Sequence, residues 1–118
     1  YWERMGPFDE SLPACEDYDL WLRTCLEYEV GLLPEALTVK HGGRSDQLSR
    51  KIIGLDLYRI YALVKLLQTG AMTREQGELT RDALQRKAHC YVQGCLKRDK
   101  PEEAQRIKTL VSRVIPVL

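Results

Sequence analysis

The chain has 118 residues, enough for one small domain with a modest core and too few for a two-domain enzyme. Eighteen basic against seventeen acidic residues leave it near neutral, which argues against a general nucleic-acid binder, because that function needs a basic footprint to release counterions. No apolar run approaches the roughly 20 residues of a membrane span and no targeting leader is recognisable, so the chain itself reads as soluble.

Residues 1–15 hold Gly6, Pro7 and Pro13 without periodicity and read as loop with at most one short turn. From Asp17 onward Tyr18, Trp21, Leu22 and Cys25 recur at helical spacing, and Glu16, Asp17 and Asp19 place negative charge where a helix N-terminus favours it. A helix of about three turns is expected there. Carbohydrates stack on aromatic rings, which offers Tyr18 and Trp21 a ligand role, but their helical spacing with Leu22 and Cys25 favours core positions, and Arg23 reads as a solvated or salt-bridged side chain. Residues 30–33 and 37–39 are short apolar pieces separated by Pro34, and the second runs into His41-Gly42-Gly43; they predict one or two brief strands ended by the glycines.

Ser45 or Asp46 can cap a helix running to about Gln68, with Gly70 as its stop. Along it Ile53, Leu57, Ile60, Val64 and Leu67 form one apolar stripe, and Leu48, Ile52, Leu55, Ala62 and Leu66 form a second on nearly the opposite side. A helix apolar on two faces is expected to lie between two layers. Thr73 and Gln76 have capping-box spacing and open a helix through about Lys97, on whose apolar face His89 is a core or interface residue. Pro101, with Glu102 and Glu103 behind it, starts a last helix whose Ala104, Ile107, Val111 and Val114 share one face. The last two helices form an antiparallel hairpin on the long one.

The four cysteines, at 15, 25, 90 and 95, lack Cys-x-x-Cys spacing, and His41 and His89 complete no zinc pattern. Reduced, partly buried thiols in a cytoplasmic protein are the ordinary reading.

The chemistry concentrates in three segments: Gly6-Pro7-Phe8-Asp9-Glu10, then Glu16-Asp17-Tyr18-Asp19-Leu20-Trp21-Leu22-Arg23, then His41-Gly42-Gly43-Arg44-Ser45-Asp46. As an ordered set they resemble the C-terminal end of the catalytic domain in family 2 glycosyltransferases, inverting enzymes of the nucleotide-sugar-binding GT-A fold. The likeness spans roughly the first fifty residues. It implies that residues 1–45 are the acceptor-side end of an α/β GT-A domain and residues 46–118 a mainly α C-terminal extension. The family's upstream nucleotide-binding strands do not occur in this sequence, and no Asp-x-Asp ends an apolar strand to hold a metal: Asp17 and Asp19 flank Tyr18 but open a helix instead. The chain therefore reads as a fragment, inactive alone, of an enzyme that moves a sugar from a nucleotide-diphosphate sugar to a carbohydrate or lipid-linked acceptor. The resemblance implies Mg or Mn in the complete enzyme and none in the fragment, with a cytoplasmic location that includes the inner face of the membrane.

Carried over by resemblance, Asp17 is the base that takes the acceptor proton, and Glu16 orients the acceptor or raises the Asp17 pKa by like-charge repulsion. The dipeptide alone reads equally as helix-start chemistry. Asp9 and Glu10 follow Gly6 and Phe8 as in the family's acceptor-side loop, and either touches the acceptor or caps a turn. His41 corresponds to a histidine that in several members joins the metal or diphosphate shell, and Arg44 is a second cation for the leaving diphosphate. A turn joining strand to helix accounts for Gly42 and Gly43 as well. The hairpin also resembles one tetratricopeptide unit, which supports a different class of function, a helical protein-interaction module. An exposed apolar helix face would further allow self-association.

Overall fold

The computed structural model describes residues 1–41 and 54–116, which form five helices and no strand. Helix α1 (Trp2–Met5) is a single turn within the expected loop. Helix α2 (Glu16–Glu27) begins at the acidic cluster, with Glu16, Asp17 and Asp19 in its first turn beside the free backbone N–H groups.

Helix α3 (Leu55–Thr69) is shorter than the continuous helix expected from Ser45 or Asp46. Gly54 has φ 78°, a left-handed conformation that a helix interior does not hold, so α3 begins at Leu55. The expected part from 46 to 53, with Leu48, Ile52 and Ile53, lies outside the described residues. The other end is as expected, since Gly70 at φ 65° is the left-handed cap and its N–H reaches the Leu67 carbonyl.

Helix α4 (Arg74–Lys97) opens with the full capping box: the Thr73 hydroxyl accepts from the Gln76 N–H, and the Gln76 side chain accepts from the Thr73 N–H. Asp99, left-handed at φ 57°, turns the chain into helix α5 (Pro101–Ser112), where proline occupies a position whose N–H has no partner within the helix.

The core is one cluster. It joins Ile60, Leu63 and Val64 of α3 to Leu84, Ala88, Val92 and Cys95 of α4 and to Ala104 and Ile107 of α5, with Tyr18 and Leu22 of α2 packed against it. Each fully buried leucine or isoleucine contributes about 1.5–3 kcal/mol relative to an exposed one, which makes this cluster the main source of stability. Helix α3 packs between α2 and α4, and Ala62 and Leu66 are buried as well, so its two apolar stripes meet two layers as the sequence requires.

Three expectations are corrected. Residues 30–33 and 37–39 are not strands but irregular chain, because a strand needs a neighbour to complete its hydrogen-bond ladder and the described residues offer none. Trp21 is 56% exposed, since it faces away from the side of α2 that carries Tyr18 and Leu22 into the core. His89 is exposed on α4 and is no core histidine.

Candidate functional site on helix α2

Helical spacing divides α2 into working faces. Asp17, Leu20, Trp21 and Thr24 recur at three- and four-residue steps and share one face. Together with Tyr1, Trp2 and Phe8 they line a cleft of about 360 Å³ in which, among the described residues, Asp17 is the only charged side chain. Leu20 and Thr24 are buried, whereas Trp2, Trp21, Phe8 and Tyr1 remain substantially exposed. The α1 segment is fixed there by the Tyr1 hydroxyl on Thr24 Oγ1. Because the Thr24 hydroxyl donates to the Leu20 carbonyl, Tyr1 is the donor in that contact.

A second face, one position on, carries Asp19 and Arg23. Asp19 is 2% exposed and fully engaged: Arg23 Nε donates to it at 3.2 Å and Lys65 Nζ of α3 at 3.0 Å. The rest of the Arg23 guanidinium donates to the carbonyls of Met5 and Pro7, which draws the Gly6-Pro7-Phe8 loop onto α2. Lys65 Nζ also donates to Asp9 Oδ2 at 2.8 Å, and Asp9 Oδ1 accepts from the backbone N–H and the hydroxyl of Ser11. These bonds, led by the one from Lys65, hold the Asp9 carboxyl at about 2, well below its ordinary 3.8. Burial would lower the Lys65 pKa, but its hydrogen bonds to Asp9 and Asp19 raise it on balance. Asp9 thus caps a turn and pairs with Lys65, while Glu10 beside it is exposed.

The residue before the acidic pair is conformationally unusual. Cys15 sits at φ 60°, a left-handed conformation that costs a side-chain-bearing residue about 1 kcal/mol or more, and it is held there as its thiol donates to the Leu55 carbonyl at 3.6 Å. Burial raises the thiol pKa, so it stays protonated and able to donate. The start of α2 is thereby tied to the start of α3, and the Glu16-Asp17 pair is presented from a fixed turn. All four cysteines are free thiols.

The structure therefore brings Asp17 and the aromatic side chains together, and places Asp9 one layer away in the ion-pair network. Glu16 is half-buried next to Asp17. His41 is exposed at the end of the irregular stretch after α2, and no described contact joins it to Asp17. Arg44, with Gly42, Gly43, Ser45 and Asp46, lies outside the described residues. A divalent cation of the Mg or Mn type requires several oxygen ligands. Among the described residues no three His, Cys, Asp or Glu side chains come together to hold an ion, so the described donors do not fit a metal site.

Sequence reasoning missed Lys65 and the cleft. The signal for Lys65 was present: it is the one charge in the run Ile60-Tyr61-Ala62-Leu63-Val64-Lys65-Leu66-Leu67, and a cation in so apolar a run needs an anionic partner. The cleft depended on the path of residues 1–8, which no periodicity encodes. A wider groove of about 880 Å³ runs between α4 and α5 over Ala88, Val92, Val111 and Ile115, with His89 among its lining residues. It shares no residue with the cleft, and its mixed-charge rim of Arg81, Asp82 and Lys108 converges on no reactive group. Family models, curated proteins and solved structures give no significant match to this chain.

Proposed function

We propose that the chain is the acceptor-side part of an inverting glycosyltransferase, with Asp17 as general base. Asp17 is the acidic residue of the Glu16-to-Asp19 cluster that opens onto a cleft, while Asp19 is consumed by Arg23 and Lys65. That division supports the reading: one carboxylate of the motif is held in ion pairs, whereas the other accepts only the Tyr18 N–H at 2.8 Å and keeps an oxygen open to the cleft for a proton. In the reaction the acceptor hydroxyl gives its proton to Asp17 as its oxygen bonds to the anomeric carbon. The bond from that carbon to the nucleotide diphosphate breaks from the opposite side, so configuration inverts. Glu16 orients the acceptor, and Glu10 contacts it from the loop held by Asp9. His41 and Arg44 act on the leaving diphosphate. A cytoplasmic setting, where nucleotide sugars are supplied, accompanies this role.

The test is Asp17→Asn in the complete protein. The amide keeps the shape but cannot take the proton, so turnover drops about 10²–10⁴-fold, the usual worth of a positioned base, while donor affinity is unchanged. Wild-type turnover in that variant would leave Asp17 a helix-start residue. The apolar floor of the α4–α5 groove favours a second reading, a helical interaction module that seats a partner helix there. A complete protein without nucleotide-sugar turnover, but with a helical ligand in that groove, would decide for it.

A further inference from the structure

We infer that the cleft beside Asp17 binds a neutral sugar ring, so that the acceptor is an oligosaccharide that stacks on Trp21 and Trp2 and hydrogen-bonds to Asp17. Four of the seven lining residues are aromatic, namely Tyr1, Trp2, Phe8 and Trp21, and each is at least 45% exposed. Rings of this size left open to water are costly, and they offer broad rigid faces with little conformational freedom to lose on binding. The C–H face of a pyranose matches such a surface, and its hydroxyl rim matches a carboxylate that accepts hydrogen bonds.

Other ligands fit less well. Among the described residues no lysine or arginine lines the cleft, and Asp17 would repel a phosphate, which disfavours a lipid-linked pyrophosphate at this point. The sole aliphatic lining residue, Leu20, is 7% exposed, too little to receive an alkyl chain. A volume of about 360 Å³ suits one or two sugar rings and not a folded partner. The ring planes of Trp2 and Phe8 meet at 73°, so Trp2 is braced edge to face before any ligand arrives. Its use as an acceptor pocket rests on the transferase reading above, but the binding itself is measurable without a donor.

Trp2 and Trp21 are the chain's only tryptophans, so its intrinsic fluorescence reports on this cleft alone. The 118-residue chain is titrated with neutral tetrasaccharides of glucose and of N-acetylglucosamine. A saturable change in emission with at least one of them is expected, with an affinity in the millimolar range or better, about −4 kcal/mol. Trp21→Ala should weaken it about tenfold, and Trp21→Phe, which keeps a ring, should weaken it less. Circular dichroism of both variants should match the parent, because Trp21 is outside the core. If Trp21→Ala loses its helical signal, the Trp21→Phe titration carries the comparison. No response to any saccharide overturns the inference, as does saturation by tetramethylammonium chloride alone, which would make the cleft a cation cage. The two readings fail separately. Saccharide binding with normal turnover of Asp17→Asn overturns the base and leaves the cleft. An Asp17→Asn enzyme without activity, in a chain whose tryptophans ignore saccharides, overturns the cleft and leaves the base.

Discussion

Asp17 and Asp19 stand two positions apart on one helix and meet opposite surroundings, because a two-residue step rotates a side chain by more than half a turn. The inward one becomes part of a chain of charges, Arg23 to Asp19 to Lys65 to Asp9, that ties the N-terminal loop, α2 and α3 together. This chain sets an acid limit on stability. Asp9 has a folded pKa of about 2, below its ordinary 3.8, so its contribution is complete above about pH 4 and is lost as the pH falls toward 2. Lys65→Met removes the main cause of that depression and leaves Asp19 with Arg23 alone. The variant should lose about 1–3 kcal/mol at pH 7, and its melting temperature should fall less steeply between pH 4 and pH 2 than that of the parent. An unchanged slope would show that the Lys65–Asp9 contact contributes nothing in solution. Asp19→Asn should likewise reduce stability at neutral pH, whereas Asp17→Asn should not, and thermal melts of the two variants separate the ion-paired aspartate from the one on the cleft.

At the scale of elements, the helices were legible where local chemistry is decisive. Gly70, the Thr73 and Gln76 box and Pro101 each fix one end by a backbone requirement that needs no tertiary context, and all three ends fall where the sequence puts them. The start of α3 was not legible, because a glycine inside an apolar pattern is compatible with both a continued helix and a break. Trp21 and His89 were misplaced for a related reason: helical spacing identifies which residues share a face, but not which face the neighbours cover. One contact joining α4 to α5 is open to direct test. The Tyr91 hydroxyl donates to Glu103 at 3.1 Å, and burial followed by this bond pushes the phenol up to about 12 from 10.0. A raised folded pKa means stabilisation that is complete below pH 10 and lost as the pH rises through 12. Tyr91→Phe should therefore cost about 1 kcal/mol at pH 7, the usual net worth of such a bond, and remove this part of the alkaline loss. Ultraviolet titration of phenolate at 295 nm checks it, since the variant should lack the phenol that ionises at about pH 12 in the parent. If the high-pH step persists in Tyr91→Phe, another tyrosine is responsible.

For the molecule as a whole, the candidate site was legible as chemistry and not as shape. The acidic cluster and its aromatic neighbours stood out in the sequence, yet their division into a buried network and an open cleft depends on how residues 1–13 return across α2 onto Lys65, a contact 56 residues apart. The one or two brief strands expected after α2 are the clearest misfit, and that stretch points to an unsatisfied surface. Val30, Leu32, Leu33, Leu37 and Val39 are 57% to 89% exposed within one short stretch, more clustered apolar surface than an isolated chain keeps in water without consequence. The apolar surface available for self-association therefore lies in this irregular segment more than on a helix face. The chain should associate through it in a concentration-dependent way, and Leu32→Ser with Leu33→Ser should shift sedimentation toward the monomer. Helical content and melting temperature should stay unchanged, because neither leucine belongs to the core cluster. If the double variant sediments as the parent does, the association surface lies elsewhere, and the exposed Leu79 and Leu96 of α4 become the residues to change next.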